Sequence, residues 1–413
     1  MSGLARTLAK GVHRVTATAL GPYQSAVVRI GFAGTWLLFL LREFPVRHEL
    51  YGPGGPWSFD LAQRLISDNG AFTVLMWSDA RLWFEFVYAL SMVAAALLML
   101  GWRTRSMSVL FMIGVLSLQN RSVFVGDGGD NVIHLMALYL VLTRCAQVWS
   151  LDARRARRHP ESREARDPAG IVLWVVLGLG LAAAQLLGRT GLTWTDGPLP
   201  WVGWSAVLWG LWLVQAAWWA VKRYAPGEPR VLLDVLANLA HNAALLVIMV
   251  EVCLIYATAG WYKIQGSRWQ DGTALHYPLH LDYFTPWTGL SELMAANGTM
   301  VMAVSYGTVI VQVAFPFTLF NRRVKNVLLA GMMLEHAAIA VILGLPFFSL
   351  AMITADSVFL PTGFLRRVGD LANRTRRGLR SRLRRRLPAS LRRPVPGQRG
   401  PSEDEEPVRL MAP

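Results

Sequence analysis

Three residues near the end of a long apolar segment have types and a spacing that suit acid–base chemistry. Tyr256, Gly260 and Lys263 lie at i, i+4 and i+7, so they share one face of a helix. Of the 41 basic residues only four are lysines, so lysine is rare where a simple positive charge suffices. A desolvated lysine can lose its proton, whereas arginine cannot. Lys263 is therefore either an ammonium group that snorkels to the membrane interface, the usual role of a lysine at a helix end, or a general base held uncharged.

Two histidines in apolar surroundings are candidates to assist such a base. His134 and His336 have the chemistry to orient a substrate hydroxyl or to stabilise an oxyanion. The alternative for each is a buried ring whose hydrogen bonds are satisfied by a neighbouring helix. Asp127, Asp130 and Asn131 precede His134 and have a second interpretation as caps, because such side chains favour helix N-termini.

Metal ligands are not indicated by the spacing of the remaining candidates. His276 and His280 with Asp282 resemble half of a zinc site, but no third or fourth ligand has a defined place. Cys145 and Cys253 both fall in apolar segments and are interpreted as buried thiols. We predict a polar interfacial loop at the histidines and no metal.

The composition sets the class of protein. The chain has 413 residues, of which 54% are hydrophobic and only 16% are charged, whereas soluble domains carry about 25% charged residues. Apolar runs of about 18 residues or more recur along the chain, as membrane-crossing helices require. The sequence predicts an all-α, polytopic integral membrane helical bundle with about 9–10 transmembrane helices.

The apolar segments divide the chain into three parts. Residues 1–21 form a short basic arm, residues 22–365 form the transmembrane domain, and residues 366–413 form a basic tail predicted to be disordered. The predicted crossing segments are approximately 24–44, 82–101, 107–125, 131–149, 170–187, 201–221, 231–262, 293–320, 327–345 and 346–365. The last of them is either a tenth crossing or a re-entrant hairpin.

The positions of the basic residues predict how the protein is oriented in the membrane. If ten segments cross, the arginine- and lysine-rich loops and the tail all fall on one side, which an excess of these residues marks as cytoplasmic. The prediction is a multi-pass plasma-membrane protein with both termini in the cytoplasm and the Lys263 region facing outward. The formal net charge of +15 is then directed at anionic lipid headgroups. Nucleic acid is not the expected partner, because no recognition module accompanies the charge.

Three stretches carry a resemblance to a known family. They are YATAGWYKIQGSRWQDGTAL (256–275), Leu334-Glu335-His336 followed by GLPFFSLAMITADSVF (344–359), and DGGDNVIHL (127–135). Together they resemble the HTTM (horizontally transferred transmembrane) domain family, which includes the membrane domain of the vitamin K-dependent gamma-carboxylases. The resemblance extends from about Gln24 to about Leu365.

The resemblance implies roles for individual residues. Lys263 occupies the place of the carboxylases' catalytic base, with His336 and His134 as assistants. The implied quinone- or substrate-binding residues are Tyr256, Trp261, Trp269, Asp271, Asn131 and Glu335. The implied cofactor is a reduced quinone, either vitamin K hydroquinone or menaquinol, in an outward-facing cavity lined by the fourth, seventh and ninth segments.

Two functions from different classes follow. The first is a gamma-carboxylase-like enzyme (a carbon–carbon lyase and quinol epoxidase) that couples oxygen-dependent quinol epoxidation to proton abstraction from, or carboxylation of, an acidic peptide or protein substrate. The second is a non-enzymatic membrane component that assists the maturation or assembly of a secreted peptide or partner protein.

Overall fold

The computed structural model describes residues 3–158, 168–190, 193–194 and 201–386. Helices dominate this part of the chain, as predicted. In chain order the α-helices are α1 (Gly3–Ala17), α2 (Pro22–Glu43), α3 (Arg47–Leu50), α4 (Phe59–Asn69), α5 (Arg81–Leu100), α6 (Thr104–Arg121), α7 (Gly128–Leu142), α8 (Leu151–Arg158), α9 (Pro168–Leu186), α10 (Trp204–Tyr224), α11 (Glu228–Gln265), α12 (Ser267–Gln270), α13 (Thr288–Ala295), α14 (Gly298–Ala314), α15 (Arg322–Ile342), α16 (Pro346–Asp356) and α17 (Thr362–Arg386).

Seven helical stretches in the described part of the chain are long and apolar enough to cross a membrane. They are Pro22–Leu50, Arg81–Leu100, Pro168–Leu186, Trp204–Tyr224, Glu228–Gln265, Gly298–Thr318 and Arg322–Ile342. The chain is therefore a polytopic helical membrane protein.

By length and composition the described residues contain seven such helices, or eight if Pro346–Phe359 and Thr362–Gly378 form one broken span, against the nine to ten predicted. The predicted third segment forms α6, which ends in the polar run Gln119–Arg121 and is not apolar enough to qualify. The predicted fourth segment forms α7, which has only 15 residues because the helix ends at Leu142. Both helices are largely buried against α2 and α5, so protein rather than lipid surrounds much of their surface.

One end of the bundle, here called the basic end, gathers the starts of α2 and α11 with the ends of α5 and α7. Arg29 of α2 donates to carbonyls at the end of α5 and in the segment that follows α7. In α11, Asn238 donates to the carbonyl oxygen of Thr16 (2.8 Å), and the ring of His241 accepts from the backbone N–H of Arg144 (2.9 Å). Basic side chains that lie far apart in the sequence thus meet at this end.

The segment after α15 returns to the basic end. Lys325, in the first turn of α15, donates to the carbonyl oxygen of Phe359 (2.5 Å). Gln24, in the first turn of α2, donates to the carbonyl oxygen of Leu360 (2.8 Å). Residues 346–360 therefore run back along α15 from its last residue to its first turn. Of the two predicted alternatives, this path agrees with a crossing rather than with a shallow hairpin.

The opposite end of the bundle is covered by loops and short helices. Arg47 forms a salt bridge with Glu85 at the start of α5 (2.9 Å). Arg121, at the end of α6, donates to the carbonyl oxygens of Gly52 and Trp57 (2.9 and 3.0 Å). The ends of α11 and α15, with the loop that joins α11 to α13, lie at this end.

The length of α11 leaves Lys263 at one end of the apolar part of the helix. Its 38 residues span about 57 Å at 1.5 Å per residue, well beyond the ~30 Å core of a bilayer. Its first part carries the polar residues Asp234, Asn238, His241 and Asn242 among apolar ones, and Asn242 caps the backbone around Thr18 and Leu20. The apolar run from Ala243 to Tyr262 is about 30 Å long, one bilayer core. Lys263 lies at the far boundary of this run, and Tyr256 lies about 10 Å deeper.

The α9–α10 hairpin is joined by two short antiparallel strands, β1 (Thr193–Trp194) and β2 (Trp201–Val202), with Thr193 opposite Val202. Trp174 and Trp212 stack with ring centroids 4.0 Å apart. Each indole N–H donates to the other residue's carbonyl oxygen. Offset-stacked aromatic pairs add stability beyond the area that they bury, so this pair holds the hairpin together.

Residues 363–413 form a unit of their own. The prediction of a disordered tail from residue 366 is corrected in its first part, because α17 continues to Arg386. Arginine is a good helix former, and the apolar residues of this stretch recur at helical spacing. The acidic run SEDEE (402–406), near the end of the tail, lies outside the described residues.

Candidate functional site

One face of α11 carries the residues that the spacing singled out, and the structure confirms that they share it. Tyr256 is 2% exposed, Gly260 is buried and Lys263 is partly buried. All three are turned toward α14 and α15. A Cβ atom built on Gly260 would lie 2.6 Å from Cγ2 of Val313, so α11 and α14 approach as closely as glycine allows.

This close approach gives a stability prediction. Gly260→Ala is expected to lower the thermal midpoint in detergent, because overpacking costs about 1–3 kcal/mol. The matched control is Gly307→Ala in α14, where an added Cβ has open space. Alanine is favoured over glycine in a helix by about 1 kcal/mol, so this control is expected to raise the midpoint or leave it unchanged. Equal midpoints for the two variants would show that the α11–α14 contact is loose.

Lys263 is joined to a carboxylate through a neutral amide. Its Nζ donates to Oε1 of Gln312 (2.7 Å), and Nε2 of Gln312 donates to Oε1 of Glu335 (2.8 Å). The Glu335 contact orients the amide, so that its oxygen faces the lysine. The ring of Trp269 lies against the same amine, with its centroid 5.2 Å from Nζ. The amine thus has a neutral hydrogen-bond partner and an aromatic wall.

A second cluster lies deeper between α11, α15 and α16. The hydroxyl of Tyr256 is 3.0 Å from Nε2 of His336 and 2.9 and 3.0 Å from the two carboxylate oxygens of Asp356. His336 is 3% exposed and Asp356 is fully buried. Because one hydroxyl has one proton, Tyr256 donates to one of these partners and accepts from the other.

One ring nitrogen of His336 is left over. If Tyr256 donates to an ionised Asp356, Nε2 of His336 carries the hydrogen and Nδ1 is an acceptor; if Asp356 is protonated, the roles reverse. Among the described residues, none is within hydrogen-bond distance of Nδ1, although the atom is buried. A buried polar atom without a partner is costly, so this nitrogen suits a hydroxyl or carbonyl of a bound molecule.

Aromatic side chains surround the second cluster. The ring of Phe348 meets the His336 ring edge-on at 5.5 Å, and Phe315 packs against Tyr256 at 6.1 Å. The backbone of Phe348 also lies against Gly129 at the start of α7, where a Cβ would be 2.7 Å from the Phe348 Cα. A flat ring with polar edges fits such walls, because binding sites combine apolar surfaces with few polar groups.

The sequence analysis did not single out Gln312 or Asp356. Each is a polar residue in an otherwise apolar run, and polar residues inside membrane segments are costly and functional by default. A costly polar residue within an apolar run was therefore the sequence signal that could have identified each of them. Their partners depend on how separate helices pack, which the spacing along one helix does not determine.

The structure keeps His134 and Asn131 apart from the contacts of Lys263. His134 Nδ1 pairs with Oε1 of Gln119 at 2.9 Å, and Asn131 is exposed. Asp127 accepts from two backbone N–H groups of the first turn of α7, and Asp130 accepts from the N–H of Asp127. This capping box confirms the second interpretation of the acidic residues.

The aromatic and acidic residues predicted near Lys263 differ in whether they contact its amine. Trp269 contacts the amine, whereas Trp261 is 61% exposed on another face of α11. Asp271 accepts from the backbone and the hydroxyl of Thr273, and these hydrogen bonds lower the pKa of Asp271. Asp271 therefore shapes the loop after α11, and its carboxylate accepts from Thr273 rather than from the lysine.

The two histidines of this loop pack against each other. The rings of His276 and His280 are 4.1 Å apart, and Nδ1 of His280 lies 2.7 Å from the carbonyl oxygen of His276. Within the described ranges, no group of three or more His, Cys, Asp or Glu residues is placed to hold a metal ion.

The cavity at this end differs from the expected one. A surface hollow of about 600 Å³ is lined by residues 286–290 and by Val341 of α15. Val341 lies five residues beyond His336, about 7.5 Å along the helix. No residue of α7 or α11 lines this hollow, so it is not the chamber expected between the fourth, seventh and ninth segments, which stays a prediction.

Comparisons with protein-family models, with curated proteins and with solved structures found no match. The resemblance to the HTTM family therefore stays a prediction from three short stretches. What can be argued about function depends on the geometry around Lys263 and His336.

Proposed function

We propose that the chain is a membrane enzyme that removes a proton from a quinol-like hydroxyl, with Lys263 as the general base. The observation that supports this proposal is the hydrogen bond from Lys263 to Gln312. A lysine at a membrane boundary usually reaches for water, lipid phosphate or a carboxylate. Here its nearest partner is a neutral amide, so no direct counter-charge stabilises the protonated form.

Glu335 places a carboxylate one amide away from the base. Because Gln312 bridges the lysine and Glu335, the carboxylate influences the amine without pairing with it directly. Gln312 also fixes the direction in which the lysine points. General bases of this kind contribute about 10²–10⁴-fold to a rate, and they depend on such orientation.

His336 supports a site for the reduced quinone. Its leftover Nδ1 offers one hydrogen bond, and Phe348 and Phe315 offer apolar walls. When bound, a reduced quinone would supply the reducing electrons for reaction with oxygen, giving a quinone epoxide and water. The residues of this chain would hold the ring, exclude water and accept the hydroxyl proton at Nζ of Lys263. We propose the plasma membrane as the location, with the basic end cytoplasmic and Lys263 outward.

The test is oxygen consumption by the purified protein in nanodiscs supplied with menaquinol or vitamin K hydroquinone. The wild-type protein is expected to consume oxygen above the uncatalysed rate, and Lys263→Ala is expected to lose about 10²-fold or more of that activity. Lys10→Ala is the control, because Lys10 is an exposed lysine in α1.

A wild-type protein that turns over neither quinol would contradict the enzymatic proposal. The non-enzymatic assembly role would then be the better hypothesis, and it has a separate test. Deleting the gene would impair the maturation of a secreted partner, and Lys263→Ala would restore that maturation as well as the wild type does.

A further inference from the structure

The first helix of the chain has an apolar stripe that the rest of the described structure leaves exposed. Leu4, Leu8 and Val12 recur at every fourth position of α1 and are 71%, 61% and 60% exposed. The apolar side of a surface helix normally faces a core. Because this stripe faces outward, a second apolar surface or phase is needed to cover it. None of the three residues takes part in the contacts of Lys263 or His336.

The opposite face of α1 is basic. Arg6, Lys10 and Arg14 each follow a residue of the apolar stripe by two positions, which places them about 200° away around the helix. All three are exposed, and residues 3–17 include no aspartate or glutamate. Within the part of the chain that the structure describes, no acidic side chain forms a salt bridge with any of the three. This basic face is therefore open to an anionic partner.

The end of α1 is fixed to α11 just before the apolar run of α11 begins. Asn238 donates to the carbonyl oxygen of Thr16 (2.8 Å), and Asn242 donates to that of Thr18 (2.9 Å). The apolar run starts at the next residue, Ala243, and is about as long as the hydrocarbon core of a bilayer is thick. These contacts therefore hold the end of α1 level with one end of the apolar part of α11.

A membrane-crossing helix begins soon after α1. Only residues 18–21 separate Ala17 from Pro22, and the stretch Pro22–Leu50 is long and apolar enough to cross a membrane. Five residue steps reach at most about 18 Å, even when the chain is fully extended. The connection is also held against α11, because the ring of His241 lies 2.7 Å from the carbonyl oxygen of Leu20. The end of α1 therefore lies close to the membrane surface at the basic end.

We propose that α1 is an interfacial helix that lies on the anionic lipid surface at the basic end of the bundle. Its apolar stripe is buried at the boundary between headgroups and acyl chains, and its basic face reaches the lipid phosphates. Helices with opposed apolar and basic faces bury the apolar one about 5–10 Å into this boundary. A lipid surface satisfies both faces at once, whereas a protein partner would have to supply an apolar groove and acidic groups together.

The test locates single spin labels on α1 of the full-length protein, in nanodiscs of phosphatidylglycerol and phosphatidylcholine. Leu8→Cys places a label on the apolar stripe, and Lys10→Cys places the matched control on the basic face. The ratio of collisions with oxygen to collisions with a water-soluble nickel complex is expected to be several-fold higher at residue 8, because oxygen concentrates among acyl chains. The wild-type protein, treated with the label in parallel, gives the background from Cys145 and Cys253.

Two outcomes of this experiment would overturn the interfacial position. If the labels at residues 8 and 10 both collide freely with nickel, α1 lies in water. If the label at residue 8 meets neither oxygen nor nickel, protein covers the apolar stripe, as a second copy of the chain would. Thermal midpoints equal to that of the wild type show that the labelled variants are folded.

The partner's charge is tested by changing the lipid and the basic face separately. In nanodiscs of phosphatidylcholine alone, the oxygen-to-nickel ratio at residue 8 is expected to fall several-fold, because basic residues near an anionic surface add to the attraction. Arg6→Gln with Arg14→Gln is expected to cause a similar fall in nanodiscs that contain phosphatidylglycerol.

The matched control for the charge removes two exposed arginines from the first turn of α15, at the same end of the bundle. Arg322→Gln with Arg323→Gln is expected to leave the ratio at residue 8 unchanged. Equal falls from the two double variants would overturn a specific role of the basic face of α1. A ratio that changes neither with the lipid nor with the α1 pair would overturn anionic lipid as the partner.

Discussion

Lys263→Arg is expected to reduce quinol turnover by about 10²-fold or more while the protein folds normally. Arginine keeps the positive charge and the hydrogen-bond donors that reach Gln312, but it does not give up its proton near neutral pH. A structural or lipid-anchoring role would tolerate the exchange. The oxygen-consumption assay therefore separates a base from a simple cation, with the thermal midpoint as the check on folding.

A chemical rescue sharpens this experiment. Lys263→Cys is expected to be inactive, and alkylation with bromoethylamine is expected to restore part of the turnover by rebuilding an amine of similar length. The chain's own cysteines provide the background: Cys145 is buried and Cys253 is partly buried, so the wild-type protein is treated in parallel. Full activity of Lys263→Arg, or no rescue of a folded and alkylated Lys263→Cys, would rule out Lys263 as the base.

Arg29→Leu is expected to lower the stability by about 1–3 kcal/mol for each buried carbonyl oxygen that loses its donor, because Arg29 is fully buried and its guanidinium donates to several of them. The guanidinium donates to the carbonyl oxygens of Leu98 and Met99 (2.5 and 2.7 Å) and to those of Cys145 and Trp149 (3.2 and 2.9 Å). These carbonyls belong to the end of α5 and to the segment after α7. Without the arginine they stay buried with fewer donors.

The measurement is the thermal midpoint of the purified protein in detergent. Arg42→Leu is the matched control on the same helix, because the Arg42 side chain is 63% exposed. Arg29→Lys is expected to fall between the wild type and Arg29→Leu, since an ammonium group has three donors and lacks the planar fork. A midpoint for Arg29→Leu no lower than that of Arg42→Leu would contradict a stabilising role.

Much of the local structure could be predicted from single segments. The i, i+4, i+7 spacing placed Tyr256, Gly260 and Lys263 on one face because an α-helix has a fixed period. The choice of residues before His134 predicted a helix cap because carboxylates satisfy the free N–H groups of a first turn.

The pairing between segments could not be predicted in the same way. Gln312 meets Lys263, and Asp356 meets Tyr256, only because α14 and α16 pack where they do. Hydropathy alone likewise leaves open whether α6 and α7 cross the membrane. A helix such as α7 is apolar because protein surrounds it, and an apolar run alone does not distinguish a protein environment from lipid.

The burial of Asp356 has a consequence for biogenesis. A lone aspartate near the centre of a bilayer costs about 2.5–3.5 kcal/mol during insertion, and α16 has too few apolar residues to offset much of that cost. Its hydrogen-bond partner, Tyr256, precedes it in the chain, so the ribosome has already delivered Tyr256 when α16 emerges. We therefore expect α16 to enter the membrane after Tyr256 is already in place to donate a hydrogen bond to Asp356.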